Sequence, residues 1–223
     1  MPFSPAFVLV LGAGALVGRA LDACIRRLPR TASPAVSGVR RRNWSPVVGA
    51  ATAGWFVLVW WHYDFSVLML SRLLLGCALI VLFAVDLEHR VLPNVVTVPG
   101  IVVGLAFGVA TEPGWLSSIL GVVVGGGVLL AVSEAYYRLR HEEALGMGDV
   151  KMLAMIGAFI GWKLAVVALM LASLGGSAVG LALVATRRAG LKDALPFGTF
   201  LAVGAAIAAT AGPRILQWYL GWY

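Results

Sequence analysis

Two aspartates lie at the edges of long apolar stretches, where acidic side chains are rare. Asp86 follows the apolar run that ends at Val85, and Asp149 follows a glycine and precedes another apolar run. A carboxylate at a membrane boundary costs free energy, so each is a candidate for function. Two carboxylates held a few ångströms apart cannot both ionise readily, and they therefore share one proton. The ionised member can accept a proton from water while the protonated member polarises a peptide carbonyl. This is the chemistry of an aspartic protease, and it requires no metal and no cofactor.

The composition predicts a membrane protein. Of the 223 residues, 61% are hydrophobic and only 12% are charged, and the mean hydropathy is +0.93. A soluble domain carries about a quarter charged residues, and so few cannot cover a surface that faces water. We therefore expect a lipid bilayer as the first partner of this chain. Its net charge of +7 has to be located before it is interpreted as a nucleic-acid footprint.

The cations are clustered between the apolar stretches. Thirteen of the 17 lysines and arginines lie in four groups, namely Arg26, Arg27, Arg30, Arg40, Arg41 and Arg42, then Arg90, then Arg138, Arg140 and Lys151, and finally Arg187, Arg188 and Lys192. Such a bias is typical of the cytoplasmic loops of a polytopic membrane protein. We therefore expect no nucleic-acid partner. The first five residues hold no cation, so we also expect no cleaved signal peptide.

The apolar stretches must supply the helices that position the two aspartates. A membrane-crossing helix needs about 20 apolar residues. Two stretches have this length, and three longer ones are interrupted by polar residues near the middle. The stretches are 7–25, 46–85 (interrupted at 62–64), 95–136 (interrupted at 111–114), 150–186 (interrupted at 161–163) and 197–218. The sequence thus predicts an all-α, polytopic membrane helix bundle of about eight transmembrane helices.

This arrangement brings the aspartates to one side of the membrane. With both termini outside, all four basic groups fall in the cytoplasm, and the opposite loops keep only Lys163 and Arg214. Asp86 then ends the third span and Asp149 begins the sixth, so the active site is expected at the cytoplasmic interface. The glycine runs 125–127 and 175–176 are expected to let neighbouring helices approach closely.

Four segments resemble one protein family. The stretch DLEHRVLPN (residues 86–94) resembles the D-x-x-x-x-x-[IL]-P-[ND] signature of the type IV prepilin peptidases, and GMGDVKML (residues 146–153) resembles their G-x-G-D-x-K-L-L segment. Residues 18–29 are similar to the end of the family's first span, and PFGTFLA (residues 196–202) is similar to its P-F-G-P-F-L-A segment. The resemblance covers the whole chain in order.

The resemblance implies a single integral-membrane aspartyl peptidase domain over residues 1–223, a multi-pass protein of the bacterial inner membrane. It implies an endopeptidase that removes basic N-terminal leader peptides from prepilin-like (pilin or pseudopilin) precursors at the cytoplasmic face. The matching positions make Asp86 and Asp149 the catalytic residues. The supporting positions are Gly146, Gly148, Lys151, Pro93 and Asn94. The precursor, the residue preference at the cleavage site and the oligomeric state stay open.

One departure from the family concerns cysteine. Long members carry two CxxC pairs that form a zinc module in the first cytoplasmic loop, whereas the short basic loop 28–44 holds no cysteine here. The two cysteines of the chain, Cys24 and Cys77, lie within spans, so we expect buried free thiols and no bound metal. Long members also N-methylate the processed pilin with S-adenosylmethionine. We expect that activity to be absent, and S-adenosylmethionine to be a cofactor only if it is retained.

The acidic residues allow other interpretations. The two aspartates could serve only as helix caps. Alternatively, the chain could be a small transporter or channel in which they relay ions or protons, although its halves show no internal repeat. Lys151 either steadies the charge on Asp149 or only follows the positive-inside bias. Outside the motifs, Asp22 is expected to pair with Arg19 and Glu134 with Arg138, while Glu88 and His89 are expected to be solvated.

Overall fold

The bundle is helical throughout the described part of the chain. The computed structural model describes residues 5–32, 44–63, 65–140, 146–186 and 195–221. Within these ranges the chain forms eight helices: α1 (Pro5–Ala32), α2 (Ser45–Tyr63), α3 (Val67–His89), α4 (Asn94–Ala110), α5 (Trp115–Arg140), α6 (Met147–Ala185), α7 (Phe197–Thr210) and α8 (Gly212–Leu220). The predicted all-α bundle is confirmed. Most of the basic loop 28–44 and the whole basic group at 187–192 lie outside the described residues.

The helices suit a lipid environment. By length and composition, α1, α3, α5 and α6 can each cross a membrane, α7 and α8 together count as a fifth candidate, and α4 is apolar but shorter. Large apolar side chains cover the outside of the bundle, for example Leu9, Val109 and Leu181, each at least 70% exposed. Water would penalise such a surface, whereas lipid tails would not. The protein is therefore a multi-pass membrane protein.

Helix α6 contains a sharp break near its middle. Gly161 has φ 77° and ψ 169°, which is not a helical conformation. Just beyond it, Leu164 lies beside Gly212, at the far end of α7. Farther along, Gly180 lies beside Leu195, which precedes α7. The second half of α6 therefore runs antiparallel to α7.

The first half of α6 runs in the opposite direction to the second. Leu92 lies beside both Gly148, near the start of α6, and Gly198, near the start of α7. The two ends of α6 thus lie near the start of α7, and its middle lies near the end of α7. This reversal confirms the turn predicted at residues 161–163. A glycine stands there because only glycine readily adopts the positive φ that Gly161 has.

Two single glycines of the described helices bring the backbones of α5 and α6 very close together. A methyl group at Gly121 of α5 would overlap the carbonyl oxygen of Gly157 of α6, and the reverse is equally true. In the glycine run 125–127, a methyl at Gly125 would lie 2.8 Å from the Leu153 carbonyl oxygen, while Gly127 faces open space. The expected packing role is therefore met at Gly125. The contact between Gly121 and Gly157, which belong to neither run, is tighter than the one at Gly125.

The last predicted span, residues 197–218, forms two helices with a sharp bend between them. Helix α7 ends at Thr210, and α8 departs from it at an angle of 72°. The cause is local, because Pro213 lies in the first turn of α8. A proline ring fits the first turn of a helix and not its interior. At about 1.5 Å per residue, the 14 residues of α7 reach roughly 21 Å, which is less than the thickness of a hydrocarbon core.

A buried arginine in α3 was not anticipated from the sequence. Arg72 is 5% exposed, and its Nη1 donates a hydrogen bond of 2.6 Å to the carbonyl oxygen of Phe159. Phe159 lies two residues before the break at Gly161, where carbonyls of the first half of α6 lose their helical partners. The Arg72 guanidinium therefore supplies a hydrogen-bond donor to a carbonyl at the end of the first half of α6. The guanidinium carbon also lies 6.0 Å from the centre of the Tyr63 ring.

Two ion pairs were predicted, and one is confirmed. Arg138 Nε lies 2.8 Å from Glu134 Oε1. Asp22, however, pairs with Arg26 at 2.9 Å, so the expected pair with Arg19 is wrong. An acid four residues before a base on a helix has the better geometry and the better orientation to the helix dipole.

The two thiols are free, as predicted. Their expected burial is met only in part. Cys24 is exposed on α1 and Cys77 is half-buried on α3, so the expectation is wrong for Cys24, which lies on the outer face of its helix.

Candidate active site

Asp86 lies in the last turn of α3 and is 5% exposed. Its Oδ2 accepts a hydrogen bond of 2.8 Å from the backbone N–H of Thr199, in the first turn of α7. The hydroxyl of Thr199 lies 3.5 Å from the same oxygen and also donates to the carbonyl oxygen of Pro196. One oxygen of the Asp86 carboxylate is thus held by the start of α7.

The chain turns sharply just after Asp86. Arg90 adopts the left-handed conformation, with φ 52° and ψ 36°, and its N–H donates to the Asp86 carbonyl oxygen. A non-glycine residue in this conformation costs roughly 1–2 kcal/mol. The turn directs residues 91–93 back across the end of the bundle, where Pro93 is the N-cap residue of α4.

Asp149 lies in the first turn of α6. Gly146 is the N-cap residue of this helix, and its carbonyl oxygen accepts the N–H of Asp149 at 3.0 Å. An acidic side chain is favoured here because the first turn of a helix carries partial positive charge. Gly148 is needed for close packing, since a methyl group there would lie 2.8 Å from Leu92 Cβ.

The two aspartates face one pocket. Its volume is about 300 Å³, and both carboxylates belong to its lining. Besides these two, the described lining residues are Arg90, Val91, Leu92, Asn94, Gly146, Met147, Gly148 and Lys151. Six of the seven residues singled out in the sequence therefore meet here. The seventh, Pro93, stands outside this set and shapes the turn before α4.

Lys151 is anchored across the pocket. Its Nζ donates a hydrogen bond of 3.0 Å to Oδ1 of Asn94, at the start of α4. The ammonium group is therefore held between α4 and α6, and Asn94 is the partner that positions it.

Several residues of the site were missed from the sequence. Thr199 and Gly198 belong to the segment 196–202, which was singled out without a role for any of its members. Gly198 leaves room for the Asp86 carboxylate, because a methyl group there would lie 2.9 Å from Asp86 Oδ2. Arg90 was counted only as a basic loop residue. The signal available in the sequence was the segment itself, but nothing in its letters indicates which side chain it contacts.

Glu88, two residues after Asp86, is not simply solvated. The indole Nε1 of Trp44 donates a hydrogen bond of 2.8 Å to Glu88 Oε2. Trp44 directly precedes α2, so this bond ties the start of α2 to the end of α3. The expectation of a solvated Glu88 is wrong because a tryptophan N–H at the same depth reaches it.

The arrangement suits acid–base hydrolysis. A buried carboxylate with one oxygen bonded and a half-buried carboxylate meet in a pocket large enough for water and a peptide bond. Among the described residues, no group of three or more histidine, cysteine, aspartate or glutamate side chains is placed to hold a metal ion. Asp86 and Asp149 supply the two carboxylates of this pocket.

Comparisons with known proteins give a consistent result. A model described as the type IV leader peptidase family matches residues 73–181, a range that contains both aspartates. The chain is 33% identical over 179 residues to a protein of Pseudomonas aeruginosa named prepilin leader peptidase/N-methyltransferase. The matched region covers 78% of this chain and 61% of that protein. It is 35% identical over 154 residues to a protein of the same name from Aeromonas hydrophila, covering 68% of this chain and 52% of that protein.

The first relatives are longer than the matched region, since the chain spans between about half and three fifths of their length. A shorter relative is covered more fully. The chain is 38% identical over 132 residues to leader peptidase HopD of Escherichia coli, which is 58% of this chain and 85% of that protein. No solved structure matches the chain. With two carboxylates in one pocket and this degree of similarity, the chain belongs to the type IV leader peptidase family.

Proposed function

We propose that this protein is a membrane aspartyl endopeptidase that removes basic N-terminal leader peptides from type IV prepilin-like precursors. The observation that carries the proposal is the pocket shared by Asp86 and Asp149. The family supports the substrate class, because relatives of this chain are named prepilin leader peptidases.

The chemistry follows from a pair of carboxylates that share one proton. The ionised aspartate takes a proton from water as the water oxygen attacks the scissile carbonyl, and the protonated aspartate gives its proton to the carbonyl oxygen. The resulting diol then collapses. The C–N bond breaks as the leaving nitrogen takes a proton from the first carboxyl, and the second regains its proton from the diol hydroxyl. The pair returns to its starting state without a metal or cofactor.

The location of the pocket suits such a substrate. Asp86 ends α3, while Asp149 and Thr199 begin α6 and α7, so all three lie at one end of the bundle. Arg90 and Lys151 lie at the same end. The positive-inside rule makes this the cytoplasmic end of a bacterial inner-membrane protein. The precursor's leader would then remain in the cytoplasm while its apolar helix lies among the spans.

We expect residues 30–42 and 187–192 to lie on the cytoplasmic side and residues near Lys163 on the opposite side. The reason is the concentration of 13 of 17 cations in four groups. Single cysteines introduced into these segments can be labelled with a membrane-impermeant maleimide in intact cells and in inverted vesicles, after Cys24 and Cys77 are replaced by serine. Labelling of the two basic segments from opposite sides of the membrane would overturn the topology.

The function is tested by co-expression with precursor genes that neighbour its own gene. We expect at least one precursor to gain electrophoretic mobility and to lose its leader, as read by mass spectrometry of the mature N terminus. The host must lack its own leader peptidases, and an empty vector is the control. If no candidate precursor is shortened, the ion or proton relay becomes the better account of the two aspartates.

The same spectra test the second activity. We propose that the mature N terminus is not methylated, because residues 28–44 lack the cysteines of the family's zinc module. Addition of a methyl group by this protein alone would contradict that proposal and would make S-adenosylmethionine a cofactor.

A further inference from the structure

A backbone hydrogen bond connects Asp86 to the start of α7. The N–H of Thr199 donates to Asp86 Oδ2 at 2.8 Å, and the bond is buried. The neighbouring Gly198 permits it, since a methyl group at that position would lie 2.9 Å from the same oxygen. Helix α7 therefore begins directly against the carboxylate.

The N–H is the important donor, and the hydroxyl is not. The Thr199 hydroxyl has one proton, which it donates to the carbonyl oxygen of Pro196. Its oxygen lies 3.5 Å from Asp86 Oδ2, which is beyond the length of a good hydroxyl bond. The side chain of Thr199 thus contributes little to holding Asp86.

The position of this N–H favours a charged acceptor. Thr199 is the third residue of α7, and N–H groups in the first turn of a helix have no partner within it. The same turn carries the positive end of the helix dipole. A hydrogen bond to a carboxylate in such a place stabilises the ionised form over the protonated form, and it opposes the burial of Asp86, which favours the protonated form.

The segment PFGTFLA departs at this position from the P-F-G-P-F-L-A pattern that it resembles. Thr199 stands where the pattern has proline. A proline has no backbone N–H, so the bond to Asp86 Oδ2 depends on the residue that this chain carries there.

We propose that Thr199 is a positioning residue whose N–H holds Asp86 as the ionised member of the pair. Asp86 then uses Oδ1 to accept the proton from water, and Asp149 carries the shared proton and gives it to the scissile carbonyl. The assignment rests on the proposed peptidase function and adds to it the division of roles between the two carboxylates.

The charged groups around Asp86 are few in the described part of the chain. Asp149 and Lys151 line the same pocket from α6, and Arg90 lines it from the end of α3. Glu88, in the last turn of α3, is bonded to Trp44 instead. Thr199 of α7 and Asn94 of α4 contribute neutral groups. None of these charges is altered by a substitution at position 199, so the effect of such a variant reports on the hydrogen bond.

The test compares Thr199→Pro with Thr199→Val in membranes that contain the full chain and a cleavable precursor. Proline removes the N–H but fits the first turn of a helix, and Gly198 tolerates the restriction that a following proline imposes. Valine keeps the N–H and the shape of the side chain and removes only the hydroxyl.

We expect the acid limb of the pH–rate profile to move up by about one pH unit in Thr199→Pro, the size expected for losing a hydrogen bond to a charged group. Cleavage by this variant should recover at pH values well above the limb, whereas a purely structural defect would lower cleavage at every pH. Thr199→Val should keep the wild-type limb. Gly198→Ala, which displaces Oδ2, should shift the limb in the same direction as proline.

The assignment is overturned if Thr199→Pro keeps the wild-type limb, or if proline and valine shift it equally. It is also overturned if Thr199→Pro is folded but inactive at every pH and Gly198→Ala shows no shift. The wild-type protein, measured in the same experiment, distinguishes failure of the role assignment from failure of the peptidase function. A wild type that cleaves nothing removes the peptidase function itself, whereas an active wild type with an unshifted Thr199→Pro removes only the division of roles.

Discussion

Asp86→Asn and Asp149→Asn should each abolish precursor cleavage while the protein remains folded and inserted. Asparagine has nearly the same shape as aspartate but cannot take a proton from water or share one with its partner. Loss of general acid–base catalysis alone is worth about 10²- to 10⁴-fold in rate. The measurement is the initial rate of leader removal in membranes with matched amounts of each variant.

The matched control is Glu134→Gln. Glu134 is a carboxylate in the last part of α5 that pairs with Arg138 on the surface, so its loss should leave cleavage within about twofold of wild type, as for most surface substitutions. Asp86→Glu and Asp149→Glu should also be impaired, because an ångström of displacement can cost about 10²-fold. Near wild-type processing by either asparagine variant would remove that residue from the catalytic pair.

Gly121→Ala should destabilise the protein more than any other alanine substitution at a glycine of α5. The added methyl would overlap the carbonyl oxygen of Gly157. The oxygen is a backbone atom and the backbone fixes the position of the methyl, so neither can rotate away. Overpacking costs about 1–3 kcal/mol when side chains alone must move, so a backbone clash should cost at least that much. The measurement is the midpoint of thermal unfolding in detergent.

Gly127→Ala on the same helix is the control. No atom lies within 4 Å of a methyl group at this position, so the substitution should stabilise the helix by up to about 1 kcal/mol through propensity alone. Gly121→Ala should also lower cleavage, because α6 carries Asp149 and would be pushed from α5. Equal midpoints for the two variants would show that the glycine contact does not hold these helices together.

The sequence alone determined the class of the fold and the two residues at the centre of the site. Apolar stretches of about 20 residues predicted a helical membrane bundle, since the thickness of a bilayer sets their length. Of the described helices, four are long and apolar enough to cross, or five if α7 and α8 form one span. The polar break at 161–163 predicted the reversal of α6, because Gly161 is a residue that can adopt the conformation required. Asp86 and Asp149 stood out because carboxylates next to apolar runs are costly and therefore rare.

Only the tertiary structure decided which partners these residues have. The contact of Thr199 with Asp86 joins positions 113 residues apart, and the approach of Gly121 to Gly157 joins two different helices. Neither follows from local pattern, because hydropathy and spacing describe one helix at a time. They say which face is apolar but not which neighbour packs on it. The burial of Arg72 against Phe159 has the same origin, since its acceptor is a carbonyl that becomes free only where α6 breaks.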